Sequence, residues 1–301
     1  MVARMKHTLL AALLAVACAT APSPAAAQSH RCPPAGYSRS QLEALKTADW
    51  AIADDAARNA LARALIPCVS SPDPALRDVV LFEALQHWLR ARQLSNETML
   101  ALADDLEPRL SAPEGQGFER PFAALILSEV ARADRIEPYL SAERRARLLD
   151  SSIAYLRGVR DYRGFDERVG WRHGVAHGAD LMLQLSLNPA LGKPELERIR
   201  DAVASQLQPE GHFYIYGESA RLAGAIVYMA QRGVLSEAEW TAWFAALPMP
   251  SDDAYTTQAG LARRHNLTAF LEAVWLNAKL SQSAADDALL PGAETALRAL
   301  P

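Results

Sequence analysis

Residues 160–181 read RDYRGFDERVGWRHGVAHGADL, and no other stretch of the chain concentrates as much chemistry. Continued as a helix from Gly170, the segment places His173 and His177 four residues apart, with Asp180 three further on. All three then project from one face over two turns. A helix uses the His-x-x-x-His spacing to aim two imidazoles at one ion, so His173, His177 and Asp180 form a candidate metal site for a divalent cation such as Zn²⁺. Two other readings use the same residues: a buried polar network with a purely structural role, and metal-free ligand binding or acid–base chemistry. Gly170, Gly174 and Gly178 repeat every four residues. Each costs a helix interior about 1 kcal/mol relative to alanine, so the stripe predicts close approach by a neighbouring helix or a ligand.

The charged residues around this segment extend the candidate site. Asp161 and Arg163 approach it from one side, Trp171 sits inside it, and Arg221 lies beyond; these four are candidate ligand-binding residues. Glu218 is the candidate general base on a metal-bound water, with a local i,i+3 salt bridge to Arg221 as the competing reading. Phe213, Tyr214 and Tyr216 either rim a pocket or cap the core. Familiar catalytic signatures are missing: there is no Walker loop, no His-Glu-x-x-His, no paired Cys-x-x-Cys. Gly217-Glu218-Ser219-Ala220-Arg221 lacks the second glycine of a nucleophile elbow.

The elements that must position these residues are helices. Asp73-Pro74 supplies an N-cap and a helix-starting proline ahead of helically spaced Leu76, Val80, Leu85 and Trp88. Ser40 with Glu43 and Ser236 with Glu239 are candidate capping boxes, Ser95 and Ser141 stand where N-caps are wanted, and Gly233 ends a helix begun near Glu218. The spacing predicts about a dozen helices, near 38–46, 54–65, 74–92, 96–109, 120–134, 142–159, 170–186, 194–206, 218–232, 237–245, 257–279 and 284–299. The one strand-like run is 212–216. Short connections favour antiparallel neighbours, so the expected fold is all-α, with stacked helical hairpins forming an α-α superhelix of the HEAT or armadillo type. A closed α/α toroid is the alternative.

Composition bounds the setting. Arg4 and Lys6 precede an apolar run from Leu9 to Ala21, and Ala25-Ala26-Ala27 offers a signal-peptidase site. Residues 1–27 are therefore expected to be a signal peptide and 28–301 one domain, periplasmic or secreted. A lipoprotein anchored at Cys18 is the alternative. No later run reaches the roughly 20 apolar residues of a membrane span. Without Arg4 and Lys6 the 31 Lys+Arg become 29 against 35 Asp+Glu, and the net charge moves from −4 to −6. An acidic chain with no basic block argues against nucleic acid as a partner. Small molecules, peptides, glycans and proteins remain as partners. Cys32 and Cys68 are an even pair in an oxidising compartment, so a disulfide is expected.

The chain also resembles the bacterial DUF2785 proteins, a domain family without an assigned function. The likeness rests on Asp73-Pro74-Ala75-Leu76-Arg77-Asp78, Phe118-Glu119-Arg120-Pro121-Phe122, Asp161-Tyr162-Arg163-Gly164-Phe165, Gly170-Trp171-Arg172-His173, Ala176-His177-Gly178-Ala179-Asp180-Leu181 and Gly217-Glu218 with Arg221-Leu222. Pro121 and Arg172 depart from the family pattern, where serine and alanine are expected. The resemblance implies a helical domain and no known reaction. A fainter likeness links Gly170–Gly174 to lanthionine-cyclase toroids, whose zinc-binding cysteines have no counterpart here. Two functions are thus expected: a helical scaffold binding a peptide, glycan or protein ligand through residues 161–180, or a metal-assisted hydrolase.

Overall fold

The computed structural model describes residues 32–301. The expected signal segment, Cys18 and Gln28 lie outside the described residues. Twelve α-helices run along them: α1 Arg39–Thr47, α2 Asp55–Ala64, α3 Phe82–Arg90, α4 Asn96–Leu106, α5 Glu119–Ile136, α6 Ala142–Gly158, α7 Gly174–Ser186, α8 Lys193–Ala204, α9 Glu218–Ala230, α10 Glu237–Ala245, α11 Gln258–Leu280 and α12 Leu290–Arg298. The fold is all-α. Short polar side chains start many of these helices by accepting otherwise unpaired first-turn amides. Ser95, Ser141 and Ser236 do so at α4, α6 and α10, and Glu239 completes a capping box on α10. At α1 the box is Ser38 with Gln41, not Ser40 with Glu43.

Alternate helices pack on one another in chain order: α3 on α5, α5 on α7, α7 on α9, α9 on α11. Outside this series, α4, α6, α8 and α12 pack against it, and α10 packs on α12. One apolar core, from Leu42 to Ala296, joins both sets. α7 lies at the centre of the series, and its glycines explain how. A Cβ at Gly178 would stand 2.9 Å from Leu156 Cδ1 and 3.1 Å from the Tyr155 ring of α6. The glycine stripe therefore admits a neighbouring helix, as its spacing predicts.

Three local segments depart from the pattern read in the sequence. The helix expected from Gly170 begins at Gly174, because Gly170–Trp171 (β2) pairs antiparallel with Phe165–Asp166 (β1). Gly170 takes φ +74°, and a Cβ there would run into the Asp78 carboxylate, so only glycine fits. The strand-like run 212–216 finds no partner strand. Asn266 stands in for one: its Oδ1 accepts the Tyr214 amide at 2.8 Å and its Nδ2 donates to the His212 carbonyl at 2.8 Å. The residues expected to start a single helix at 74–92 instead wind as a π-helix, Ala75–Leu81, that continues into α3. Cys32 and Cys68 form the expected disulfide, with Cα atoms 5.1 Å apart.

Candidate functional site

A cavity of about 560 Å³ opens between α3, α5, α7 and α9 beside the β-hairpin. His173, His177 and Asp180 line it together with Trp171 and Arg221. Thus five of the residues singled out by sequence meet at one place. Asp161 and Arg163 do not line it. They pair with each other, Arg163 Nε donating to Asp161 Oδ1 at 2.7 Å, on a loop held to the Gln116 carbonyl. Burial pushes the Asp161 carboxyl up, but the hydrogen bonds from Arg163 outweigh it and leave it below the usual carboxylate range.

The two imidazoles are held differently. His177 is on α7, and its Nδ1 donates at 3.1 Å to the carbonyl of Pro121, which can only accept. That bond fixes the tautomer and leaves Nε2 as a lone-pair acceptor. Among the described residues no group reaches this Nε2, and it is not among the enclosed polar atoms, so it faces the cavity that the ring lines. Phe122 meets the ring edge-on at 5.3 Å between centroids. His173 precedes the helix in a left-handed conformation, φ 59°. Its ring stacks on Trp171 at 4.7 Å, and its enclosed Nε2 stands 3.7 Å from Glu218 Oε1 with no hydrogen-bond partner.

Both imidazoles are neutral at neutral pH. Burial, reinforced by the charge of Arg221, lowers His173 to about 4 against the opposing Tyr216 carbonyl. Burial and then His173 itself lower His177 to about 3. Asp180 is raised by burial and pulled back by Arg221, its ion-pair partner. The i,i+3 pair expected between Glu218 and Arg221 is therefore not made. Glu218 is 2% exposed and turns back to accept the Tyr216 amide at 2.9 Å.

The three candidate ligands do not form a ready-made metal cluster. Among the described residues no group of three His, Cys, Asp or Glu side chains stands ready to hold an ion. Individually, His173 Nε2 is sealed against Glu218 and one Asp180 oxygen is taken by Arg221, whereas His177 keeps its Nε2 lone pair open because the Pro121 carbonyl takes its Nδ1 proton. The i, i+4, i+7 rule fails because it needs His173 inside a regular helix, and His173 lies before it.

The model of the family described as "Protein of unknown function (DUF2785)" matches residues 111–276, more than half of the chain. The chain belongs to the DUF2785 family. No curated protein and no solved structure matches it. The matched DUF2785 segment contains α5, α7, α9 and the hairpin, while the cavity wall from the π-helix and α3 comes from outside it.

Sequence reasoning missed that outer wall. Arg77, fully buried, donates to the carbonyls of Ser71 at 2.6 Å, Val169 at 2.7 Å and Trp171 at 3.3 Å. Its guanidinium lies over the rings of Phe118 at 3.9 Å and Phe122 at 4.8 Å. Asp78 accepts the Trp171 amide at 3.2 Å, and its other oxygen lies 2.7 Å from Arg77 Nη2 without hydrogen-bond alignment. On α5, Glu129 is 5% exposed and accepts from Arg90 at 2.9 and 2.6 Å and from Gln86 at 3.2 Å. A signal for Arg77 and Asp78 lay in the Asp73–Asp78 segment of the sequence resemblance, which precedes the residues 111–276 that the family model matches. None existed for Glu129, which lies 32 residues before Asp161, the nearest candidate site residue in the sequence.

Proposed function

We propose that this DUF2785 protein is an exported, non-catalytic binding domain, a single unit from residue 28 onward, that takes a polar ligand into the cavity lined by His177, Asp180 and Trp171. One observation carries the reading: the His177 Nε2 lone pair, fixed by the Pro121 carbonyl and open to a cavity of ligand size. An acceptor whose tautomer is fixed and which opens onto a cavity of ligand size is held ready for a ligand donor. Successive packing of α3, α5, α7, α9 and α11 supports a superhelical series with the cavity on its inner side. Export is part of the same reading, resting on the signal-like start and supported by the Cys32–Cys68 bond.

The test is a thermal-shift screen of the mature protein against peptides, glycans and metabolites, alongside Zn²⁺ and chelator. A polar organic ligand should raise the melting temperature by mass action, and neither Zn²⁺ nor chelator should move it. Stoichiometric zinc stabilisation abolished by His177→Ala would replace this reading with the metal-assisted hydrolase. Intact mass of exported protein beginning at Gln28 tests the compartment.

A further inference from the structure

The charges lining the cavity are already matched. Asp78 faces Arg77, Glu129 holds Arg90, and Asp180 holds Arg221. Each pair spans two elements or sits against the hairpin, so none is free to turn toward a newcomer without abandoning its partner. A charged ligand entering this space would lose its hydration and gain no unmatched opposite charge. Uncharged hydrogen-bonding groups meet no such penalty.

What the walls do offer is a mixture of fixed donors and acceptors. His177 Nε2 accepts. One oxygen of Asp180 bonds Arg221, and the other has no partner among the described residues. Gln184 uses its Oε1 on Arg135 Nε at 2.8 Å, which turns its amide donors to other use beside the cavity. Between these lie the rings of Phe82, Phe122, Trp171 and Tyr216. Groups that donate and accept within a few ångströms of apolar ring faces match a ligand whose hydroxyls do both and whose carbon skeleton presents C–H faces.

A peptide is recognised differently, through main-chain bonds to a sheet edge or an apolar helix groove. Among the described residues the one sheet is the two-residue ladder of β1 and β2, and the cavity walls are helices whose backbone groups bond internally. The lining is also too polar for an amphipathic helix to seat.

From these observations we propose that the cavity ligand is a neutral sugar, bound through its hydroxyls to His177 Nε2 and Asp180, with a ring face against the aromatic wall. This rests on the binding function proposed above and narrows its ligand to one class. His177 is the specificity-determining residue: its tautomer is locked, so it demands a donor at that point.

The Trp171 indole N–H resonance, assigned with Trp171→Phe, reports ligands in a ¹⁵N-labelled sample of the mature protein. Neutral mono- to trisaccharides, their uronic-acid and amino-sugar counterparts, and neutral tripeptides are titrated in turn. A neutral saccharide should shift the resonance saturably, and the charged counterpart of the same sugar should bind at least tenfold more weakly. His177→Phe should weaken the neutral sugar at least tenfold while keeping the wild-type fold by circular dichroism. Should that variant fail to fold, Asp180→Asn carries the test with the same expected weakening. Saturable binding of a tripeptide or of only charged sugars overturns the sugar assignment and leaves the binding function standing. No response to any of the three classes overturns the sugar assignment, and the thermal-shift screen then decides the binding function.

Discussion

At the scale of single residues, the site is governed by burial of groups that would otherwise ionise. His173 and His177 are neutral when folded, at about 4 and about 3, and titrate near 6.5 when unfolded. The unfolded chain therefore binds more protons than the folded one below pH 6.5. Stability from these groups is complete above that pH and is lost as pH falls toward the folded values. Between pH 7 and 5.5 each imidazole should cost about 1 kcal/mol. Asp78 and Asp180, raised by burial, act in the opposite sense. Urea unfolding at both pH values checks this: His177→Phe should halve the loss, and an unchanged pH dependence would show the ring ionises normally. Arg77 poses the sharper case. Burial holds its pKa below the usual value, yet three carbonyls, Asp78 and two aromatic rings surround it. Arg77→Met keeps the stem but leaves Asp78 and the carbonyls unmatched. It should cost about 3–5 kcal/mol in urea unfolding, as expected for breaking a buried pair from one side.

At the scale of elements, α7 shows what spacing can and cannot reveal. Its glycine repeat announces a close neighbour, and α6 is that neighbour. The two glycines are not equivalent, however. A Cβ at Gly174 would meet nothing closer than 3.4 Å, whereas Gly178 faces Leu156 at 2.9 Å and Tyr155 at 3.1 Å. Tyr155 cannot swing away cheaply, since its hydroxyl donates to the Gly174 carbonyl at 3.0 Å. Alanine gains about 1 kcal/mol of helix propensity at either position. Gly174→Ala should therefore be neutral or mildly stabilising, and Gly178→Ala should lie below it by about 1–3 kcal/mol because overpacking outweighs the gain. Equal melting temperatures for the two variants would refute the packing account. Caps and apolar periodicity likewise place most helices from local chemistry alone, which is why Ser95, Ser141 and Ser236 are readable without a structure. The start of α7 is not, because the hairpin that displaces it depends on Arg77 and Asp78, ninety residues earlier. The candidate site divides along the same line: His177, Asp180 and Trp171 are legible as neighbours in sequence, while Glu129 and Asp78 reach them only through helix packing.

At the scale of the whole molecule, the cavity is a joint between the DUF2785 segment and the chain that precedes it. The path across the joint is short. Cys32 is bonded to Cys68 in the 3₁₀ turn Ile66–Ser70, the Ser71 carbonyl that follows accepts Arg77, and Arg77 holds the hairpin carrying Trp171. The disulfide closes a loop of 36 residues in sequence separation, and in the chain-entropy account such a loop constrains the unfolded state by about 3–4 kcal/mol. The double variant Cys32→Ser/Cys68→Ser should lose that amount in urea unfolding. Where the loss is felt discriminates between two pictures. If the bond acts on the unfolded chain alone, amide exchange should accelerate evenly across every globally protected site. If it also braces the joint, exchange should rise first in residues 66–81 and in the hairpin at 165–171, while the interior of α9 and α11 follows only with global unfolding. The chain of contacts from Cys68 through Ser71 and Arg77 predicts the second pattern, because no other disulfide among the described residues ties the π-helix wall to the rest of the fold. Exchange that accelerates uniformly would leave the bond a passive constraint and the cavity wall self-supporting.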